Sequence, residues 1–515
     1  MLKKKSLIPL ALFSYAGLAQ TAQERPNIIY FLVDDMGWQD TSLPFWKEKT
    51  PLNERYHTPN MERLASQGMM FTQAYACSVS SPTRVSLLTG MNAARHRVTN
   101  WTLQKNTPTD RHSKTLEFPE WNVNGICQVP NIPHTYEVTS LPQLLKNSGY
   151  HTIHCGKAHW GAIDTPGENP HHFGFEVNIA GHAGGGIASY LGEENFGNIS
   201  RESKVYGKTA SLQAIPGLDE YWGQDIFVTE ALTREAIKAL DKAKRLEQPF
   251  FLYMSHYAIH IPLDKDMRFY EKYRSRGLSE NEAAYASLIE GMDKSLGDLM
   301  DWVEANELSD NTIIIFMSDN GGLSSESYWR DLPLHTQNAP LNSGKGSAYE
   351  GGIREPLIVK WNGKVQPNTR CDDYVIIEDF FPTLLDMAQV KERETKQTID
   401  GHSFMPLLLQ QGQNPAKNRS LYWHFPNLWG NAGPGIGTTS SVRNGDWKLV
   451  YYYETGKKEL FNITQDIGET TDLAPKYPKL VKELSENLGK YLRDVSAQRP
   501  TYKATGKPCP WPDEC

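Results

Sequence analysis

The sequence predicts an α/β protein: a large, mostly parallel central sheet flanked by helices, followed by a small C-terminal antiparallel sheet with one helix. Three observations carry this. Asn27 to Asp35 (NIIYFLVDD) and Thr312 to Gly322 (TIIIFMSDNGG) are near-continuous apolar runs, as strands buried on both faces require. Residues 281–306 place Tyr285, Leu288, Ile289, Met292, Leu296, Leu299, Met300 and Val303 at helical spacing, an apolar stripe for the sheet. Ser440 to Asn462 alternates around Arg443-Asn444-Gly445-Asp446 and Glu454-Thr455-Gly456-Lys457, which is hairpin patterning.

A chain of 515 residues is too long for one small domain and predicts two of unequal size. The composition shifts after Asp400-Gly401-His402, so the larger α/β domain is expected over 20–400 and the smaller one over 401–515. Residues 1–19 read as a signal peptide, with Lys3, Lys4 and Lys5, an apolar stretch, and Gly17 and Ala19 before the cut. An anchor would need roughly 20 uninterrupted apolar residues, which this start lacks, and no cysteine follows the cut. The expectation is an exported protein, periplasmic or secreted, with no membrane anchor. Cleavage removes three lysines from a chain whose net charge is already −7. Such a protein does not bind polyanions through its overall field, and nothing points to nucleic acid. Any anionic ligand needs a local basic pocket. Of six cysteines none forms a CxxC pair; Cys509 and Cys515 flank a turn and could close a small disulfide.

Taken in order, the first apolar run ends in Asp34 and Asp35, at the strand edge where parallel sheets place ligands. Alone, such a pair is most often a turn or a helix cap. The later run ends in Asp319-Asn320, followed by two glycines that let backbone approach closely. Four oxygen ligands from two strand ends suit a hard cation, calcium or magnesium, rather than zinc. Ser80 to Gly90 (SSPTRVSLLTG) reads as a reactive loop leading into a helix, with Pro82 in the first turn. The free N–H groups and positive dipole there suit an anion, and Arg84 can reach back to Ser80. Residues 101–135 and 164–215 look like long irregular insertions, the second carrying His172 and His182; such loops commonly shape binding sites. Tyr150 to Trp160 reads as a strand and a turn presenting Lys157 and His159. Phe250 to Leu263 reads as a strand and a loop with His256 and His260. Asn342 to Pro356 is a glycine-rich loop with Lys345 and Arg354. Leu480, Leu484, Leu488, Tyr491, Leu492 and Val495 mark a final amphipathic helix.

Ser80-Ser81-Pro82-Thr83-Arg84 with Leu88-Thr89-Gly90 resembles the signature of the type I formylglycine-dependent sulfatases, of the alkaline phosphatase superfamily. Thr83 stands where serine is commoner, keeping the hydroxyl. Counted from Cys77, proline and arginine would fall on Val79 and Ser81, so Ser80 is the modified position. Lys157 with His159, His260 and Lys345 match the family's Gly-Lys-x-His, His-x-Pro and Gly-Lys-Gly elements, and GDWKLVYYY with ELFNITQDIGETTDLA resembles its tail. The resemblance covers nearly all of the mature chain, the two insertions least.

The resemblance implies that Ser80 becomes formylglycine and that Asp34, Asp35, Asp319 and Asn320 hold one divalent ion, usually calcium. It implies that Arg84 and Lys157 stabilise the hydrated aldehyde, and that Lys157 and Lys345 neutralise the sulfate. His260 would protonate the leaving alcohol and His159 help collapse the intermediate, roles that could be exchanged. His256, His172, His182 and Arg354 stand as substrate-binding candidates, Arg354 with a structural role as its other reading. A serine at this position is, in the family, a bacterial trait that implies an oxygen-sensitive radical maturing enzyme as partner. The substrate expected is a sulfated glycan attacked from its end, at galactose or N-acetylgalactosamine sulfate. N-acetylglucosamine 6-sulfate is the next choice. Two rivals are a phosphate or phosphonate ester hydrolase on the same fold and a glycan-binding protein without catalysis.

Overall fold

The computed structural model describes residues 25–199, 205, 207, 209–325, 328–410, 418–430 and 432–515. The signal peptide expected at 1–19 lies outside them. Continuous apolar runs become central strands because both faces of each must be covered. In β1 (Asn27–Val33) every residue is buried, Ile29, Phe31 and Val33 in one core and Ile28, Tyr30 and Leu32 in the other. The other strands of this sheet are β2 (Met69–Tyr75), β3 (His151–Gly156), β4 (Val177–Ile179), β5 (Phe250–Ser255), β6 (Thr312–Ser318), β7 (Arg354–Trp361), β8 (Thr369–Cys371) and β9 (Val375–Ile376). Their order is β8-β2-β7-β6-β1-β5-β3-β4, with β9 also pairing with β2. Only β7 runs against its neighbours.

Helices cover both faces. α1 (Pro59–Ser66), α4 (Val228–Lys244) and α5 (Glu280–Ala305) pack into the first core, and α2 (Ser80–Thr89), α3 (Leu141–Asn147) and α6 (Phe380–Met387) into the second. α5 buries the whole expected stripe from Tyr285 to Val303, and Ser279 caps it by accepting from the Glu282 N–H. Each fully buried leucine, isoleucine or methionine there contributes about 1.5–3 kcal/mol. A second, antiparallel sheet runs in sequence order, β10 (Ser420–Phe425), β11 (Thr439–Asn444), β12 (Trp447–Tyr452) and β13 (Lys458–Asn462). The amphipathic helix α7 (Pro478–Asp494) packs on it through Leu484, Leu488 and Leu492, and Tyr491 stacks on Tyr422 with ring centroids 3.7 Å apart.

Three expectations change. Arg354, expected in a loop, opens strand β7; Pro356 is tolerated because the pairing with β2 is bulged between Glu355 and Leu357. The second insertion supplies β4, an edge strand too short to show a period. Cys509 and Cys515 are free thiols, the first buried and the second exposed beside the Tyr451 hydroxyl.

Candidate active site

Register builds the site. Val33 pairs with Ser318, Leu32 with Ser255 and Gly156 with Ser255, so β1, β6, β5 and β3 end at one edge. The residues after those ends are Asp34-Asp35, Asp319-Asn320, His256 and Lys157. The carboxyls of Asp34, Asp35 and Asp319 are buried, each offering an oxygen within 4.8 Å of the others. Asn320 joins them, donating from Nδ2 to Asp35 Oδ1 at 2.8 Å.

Helix α2 carries the serine into this cluster. Ser80 is its first residue, and all ten residues of the helix are buried. Ser80 Oγ donates toward Asp34 Oδ1 (3.2 Å) and Asn320 Oδ1 (3.1 Å), and accepts from Lys157 Nζ (3.1 Å). One turn on, Arg84 Nε donates to Asp319 Oδ2 at 2.9 Å, while Nη1 holds Ser255 Oγ and the Lys157 carbonyl. Arg84 thus braces the strand ends through these bonds. Lys157 Nζ lies 2.6 Å from Asp34 Oδ2, and Lys345 Nζ lies 2.7 Å from Asp35 Oδ1. His260 Nε2 is 3.7 Å from Asp35 Oδ2.

Burial and neighbouring charge set the protonation. Asp34 is pushed up to about 8 by burial, with Lys157 pulling the other way and Asp319 and Asp35 adding to the rise. For Asp35 burial is outweighed by Lys345 and His260, and for Asp319 by Arg84, so both are lowered. Burial lowers Lys157. Burial, then Lys157, holds His159 well below the imidazole range, and burial, then Lys345, takes His260 down to about 3. Three crowded carboxyls and one amide oxygen, all oxygen donors, fit a hard divalent cation, whose charge would reverse the rise at Asp34.

The centre opens into a cavity of about 330 Å³ lined by Asp35, Ser80, Lys157, His159, His260 and Lys345. That is the low end of small-ligand pockets. Asp35 is the single acid among its lining residues. The structure therefore brings together ten predicted residues, the four oxygen donors with Ser80, Arg84, Lys157, His159, His260 and Lys345.

The four substrate-binding candidates fall elsewhere. His256 has no exposure; it packs on Phe31 and meets Ser295 Oγ through Nε2, because it points back into the first core. Arg354 is buried over the Trp38 ring, bound to the Thr72 carbonyl and Glu350, a structural brace. His172 is exposed in a 3-10 turn beside the Pro166 carbonyl, away from the cavity lining. His182 lies against Tyr257, outside the cavity lining, and its carbonyl accepts from the His159 backbone N–H. The lining also holds residues that carried no motif: Trp101, Thr109, Arg111, Gly185, Gly186, Gln213, Leu323 and Trp429. Loops without periodicity supply most of them. Their aromatic content was the one available signal.

Comparison with known proteins bears on this geometry. Residues 26–390 match the family model described as Sulfatase, and residues 344–495 match N-sulphoglucosamine sulphohydrolase, C-terminal. A protein named Sulfatase from Formosa agariphila is 30% identical over 89% of this chain and 86% of its own. The N-acetylgalactosamine-6-sulfatase of Homo sapiens is 28% identical over 91% and 87%. Among solved structures, Ps i-CgsB in complex with k-i-k-neocarrahexaose superposes with a TM-score of 0.70 at 28% identity, over 92% of this chain and 94% of that one. The model match spans both strand ends, the Ser80 helix and the Lys345 loop, and on that match the chain belongs to the sulfatase family, as a sulfuric ester hydrolase.

Proposed function

We propose that this protein is an exported carbohydrate sulfatase that removes sulfate from a terminal galactose or N-acetylgalactosamine, through a formylglycine made from Ser80 and with one calcium ion. The observation that carries the reading is the position of Ser80 Oγ, between Asp34, Asn320 and Lys157 at the floor of a cationic cavity. The N-acetylgalactosamine-6-sulfatase relatives support the choice of sugar. Asp34, Asp35, Asp319 and Asn320 would hold the ion; bound there, it would draw charge from a sulfate oxygen and acidify a neighbouring hydroxyl. Formylglycine, as its hydrate, would supply two hydroxyls on one carbon, one to attack sulfur and one through which sulfate leaves.

The remaining work falls to the chain's own side chains. Lys157 and Lys345, each paired with a carboxylate of the oxygen cluster, line the cavity and neutralise sulfate oxygens as charge builds. His159 Nε2 sits 2.8 Å from the Thr102 carbonyl, so it is the N–H, and the neutral ring keeps a buried Nδ1 lone pair with no hydrogen-bond partner among the described residues. An acceptor there takes a proton from a hydroxyl and cannot donate one to a leaving alcohol. His260 is set the other way. Its Nδ1 donates to the Ile261 carbonyl at 2.8 Å, leaving Nε2 toward the cavity. An anion bound against Lys345 raises this imidazole, and Nε2 then passes its proton to the departing sugar oxygen. The tautomers thus favour His260 as acid and His159 as base.

No described helix is long and apolar enough to cross a membrane. Export rests on the leader read in residues 1–19, and maturation on a radical enzyme acting on Ser80 before or during export. Turnover of an aryl sulfate, an aryl phosphate and a set of sulfated monosaccharides by matured protein tests the reading. Sulfate release well ahead of phosphate release is expected. Phosphate hydrolysis far exceeding sulfate hydrolysis would overturn it.

A further inference from the structure

Two indoles line the cavity that holds Ser80, and the reaction as derived uses neither. Trp429 comes from the segment joining β10 to β11, so the C-terminal sheet reaches into the site. Its ring lies flush on the loop of the catalytic lysine: Lys345 Nζ is 5.8 Å from the ring centroid, and a Cβ on Gly346 would come within 2.2 Å of Trp429 Cε3. The segment is docked on both sides. Ser347 Oγ donates to the Pro434 carbonyl at 2.8 Å, and the Arg111 N–H donates to the Leu428 carbonyl at 2.9 Å. That second bond laces it to the segment carrying Trp101, whose carbonyl accepts from Thr109 Oγ1. Thr102, the next residue, is the one that holds His159.

Both indoles are half-buried and line the cavity, where covering an apolar ring is favourable. We infer that Trp429 is the platform on which the apolar face of the sulfated sugar stacks, with Trp101 as the second indole wall. The inference rests on the sugar-sulfatase reading and makes the C-terminal sheet the specificity element of the site. The chemistry favours a galacto-configured ring. Its axial O4 leaves the C3, C4, C5 and C6 hydrogens as one continuous patch, which a π face accepts, whereas a gluco-configured ring divides H3 and H5 from H4 between its two faces. The competing role for Trp429 is to hold Lys345 in place. The two roles separate by ligand, since only stacking requires a sugar.

The test is calorimetric binding to calcium-loaded full-length Ser80→Ala protein, which binds without turnover. The probes are galactose 4-sulfate, galactose 6-sulfate, glucose 6-sulfate and inorganic sulfate. Trp429→Ala is expected to weaken the better galactose sulfate by about tenfold, with Trp429→Phe recovering most of it and inorganic sulfate shifting less than about twofold. Glucose 6-sulfate is expected to bind more weakly to the parent and to lose less. Unchanged galactose sulfate affinity in Trp429→Ala overturns the inference, as does an equal loss for sugar sulfate and inorganic sulfate. A parent that binds inorganic sulfate but no galactose sulfate also overturns it, while leaving a sulfatase for another ester. A parent that binds no sulfate at all removes the underlying reading and this inference together.

Discussion

The Lys157 ammonium lies 2.6 Å from Asp34 Oδ2, and neither side chain has any exposure. Removing Lys157 leaves Asp34 buried beside Asp35 and Asp319, a cost of up to about 3–5 kcal/mol that protonation of Asp34 limits. Lys157→Met should therefore destabilise the cation-free protein by no more than that, and less with calcium present to answer Asp34. Because Lys157 also donates to Ser80 Oγ, kcat should fall by about 10²–10³. Urea unfolding with and without calcium, alongside sulfate release, checks both. Equal destabilisation in the two conditions would remove Asp34 from the ion's ligands.

Gly185 sets the face of His159. A Cβ at this glycine would lie 2.2 Å from His159 Cε1, so Gly185→Ala must displace the imidazole. A displacement of this size in a positioned base costs about 10² in rate. The expected pattern is a lower kcat with sugar KM and melting temperature nearly unchanged. A large rise in KM at constant kcat would assign His159 to binding rather than proton transfer.

Lys448 on β12 ties the C-terminal sheet to the Lys345 loop. It is fully buried, 3.1 Å from Glu350 Oε1 and 2.9 Å from Glu469 Oε1, while the Glu350 N–H donates to Glu469 Oε2. Lys448→Met strands two carboxylates and should lower stability by about 3–5 kcal/mol, read from the urea midpoint. Exchanging all three for apolar residues of similar volume should recover most of it. A neutral single variant would mean that the network is solvated on the timescale of unfolding.

Acid should weaken the fold through its enclosed histidines. His96, His154, His256 and His424 are enclosed, and burial takes each down to about 3. In the unfolded chain they titrate near ~6.5. Between those values the unfolded state binds more protons at these four rings, so their contribution to stability is complete above about pH 6.5 and falls as pH drops. His424→Gln should flatten the slope by up to about 1.4 kcal/mol per pH unit below 6. A pH slope unchanged by His424→Gln would show that this ring is already charged in the native state.

The oxygen cluster was legible because Asp34-Asp35 and Asp319-Asn320 end apolar runs, and parallel strands bring their ends to one edge. Lys157, His159, His260 and Lys345 were legible from motifs, which place loop residues that no periodicity can. His256 misled because the residue after a strand can turn to either face, and here it turned inward toward Phe31 and Ser295. Arg354-Glu355-Pro356 concealed β7, since a charged pair and a proline argue against a central strand unless a bulge absorbs them. Trp101 and Trp429 were beyond reach: they sit far apart in aperiodic segments, and only the tertiary docking of Leu428 on Arg111 joins them.

The central claim is that Ser80 is a formylglycine precursor, and peptide mass spectrometry of the Ser80 region tests it most directly, on protein from a host that carries the radical maturing enzyme. Loss of two hydrogens at Ser80, trapped by an aldehyde reagent and rising in step with sulfate release, is the predicted result. Unmodified serine in protein that releases sulfate at full rate would contradict it.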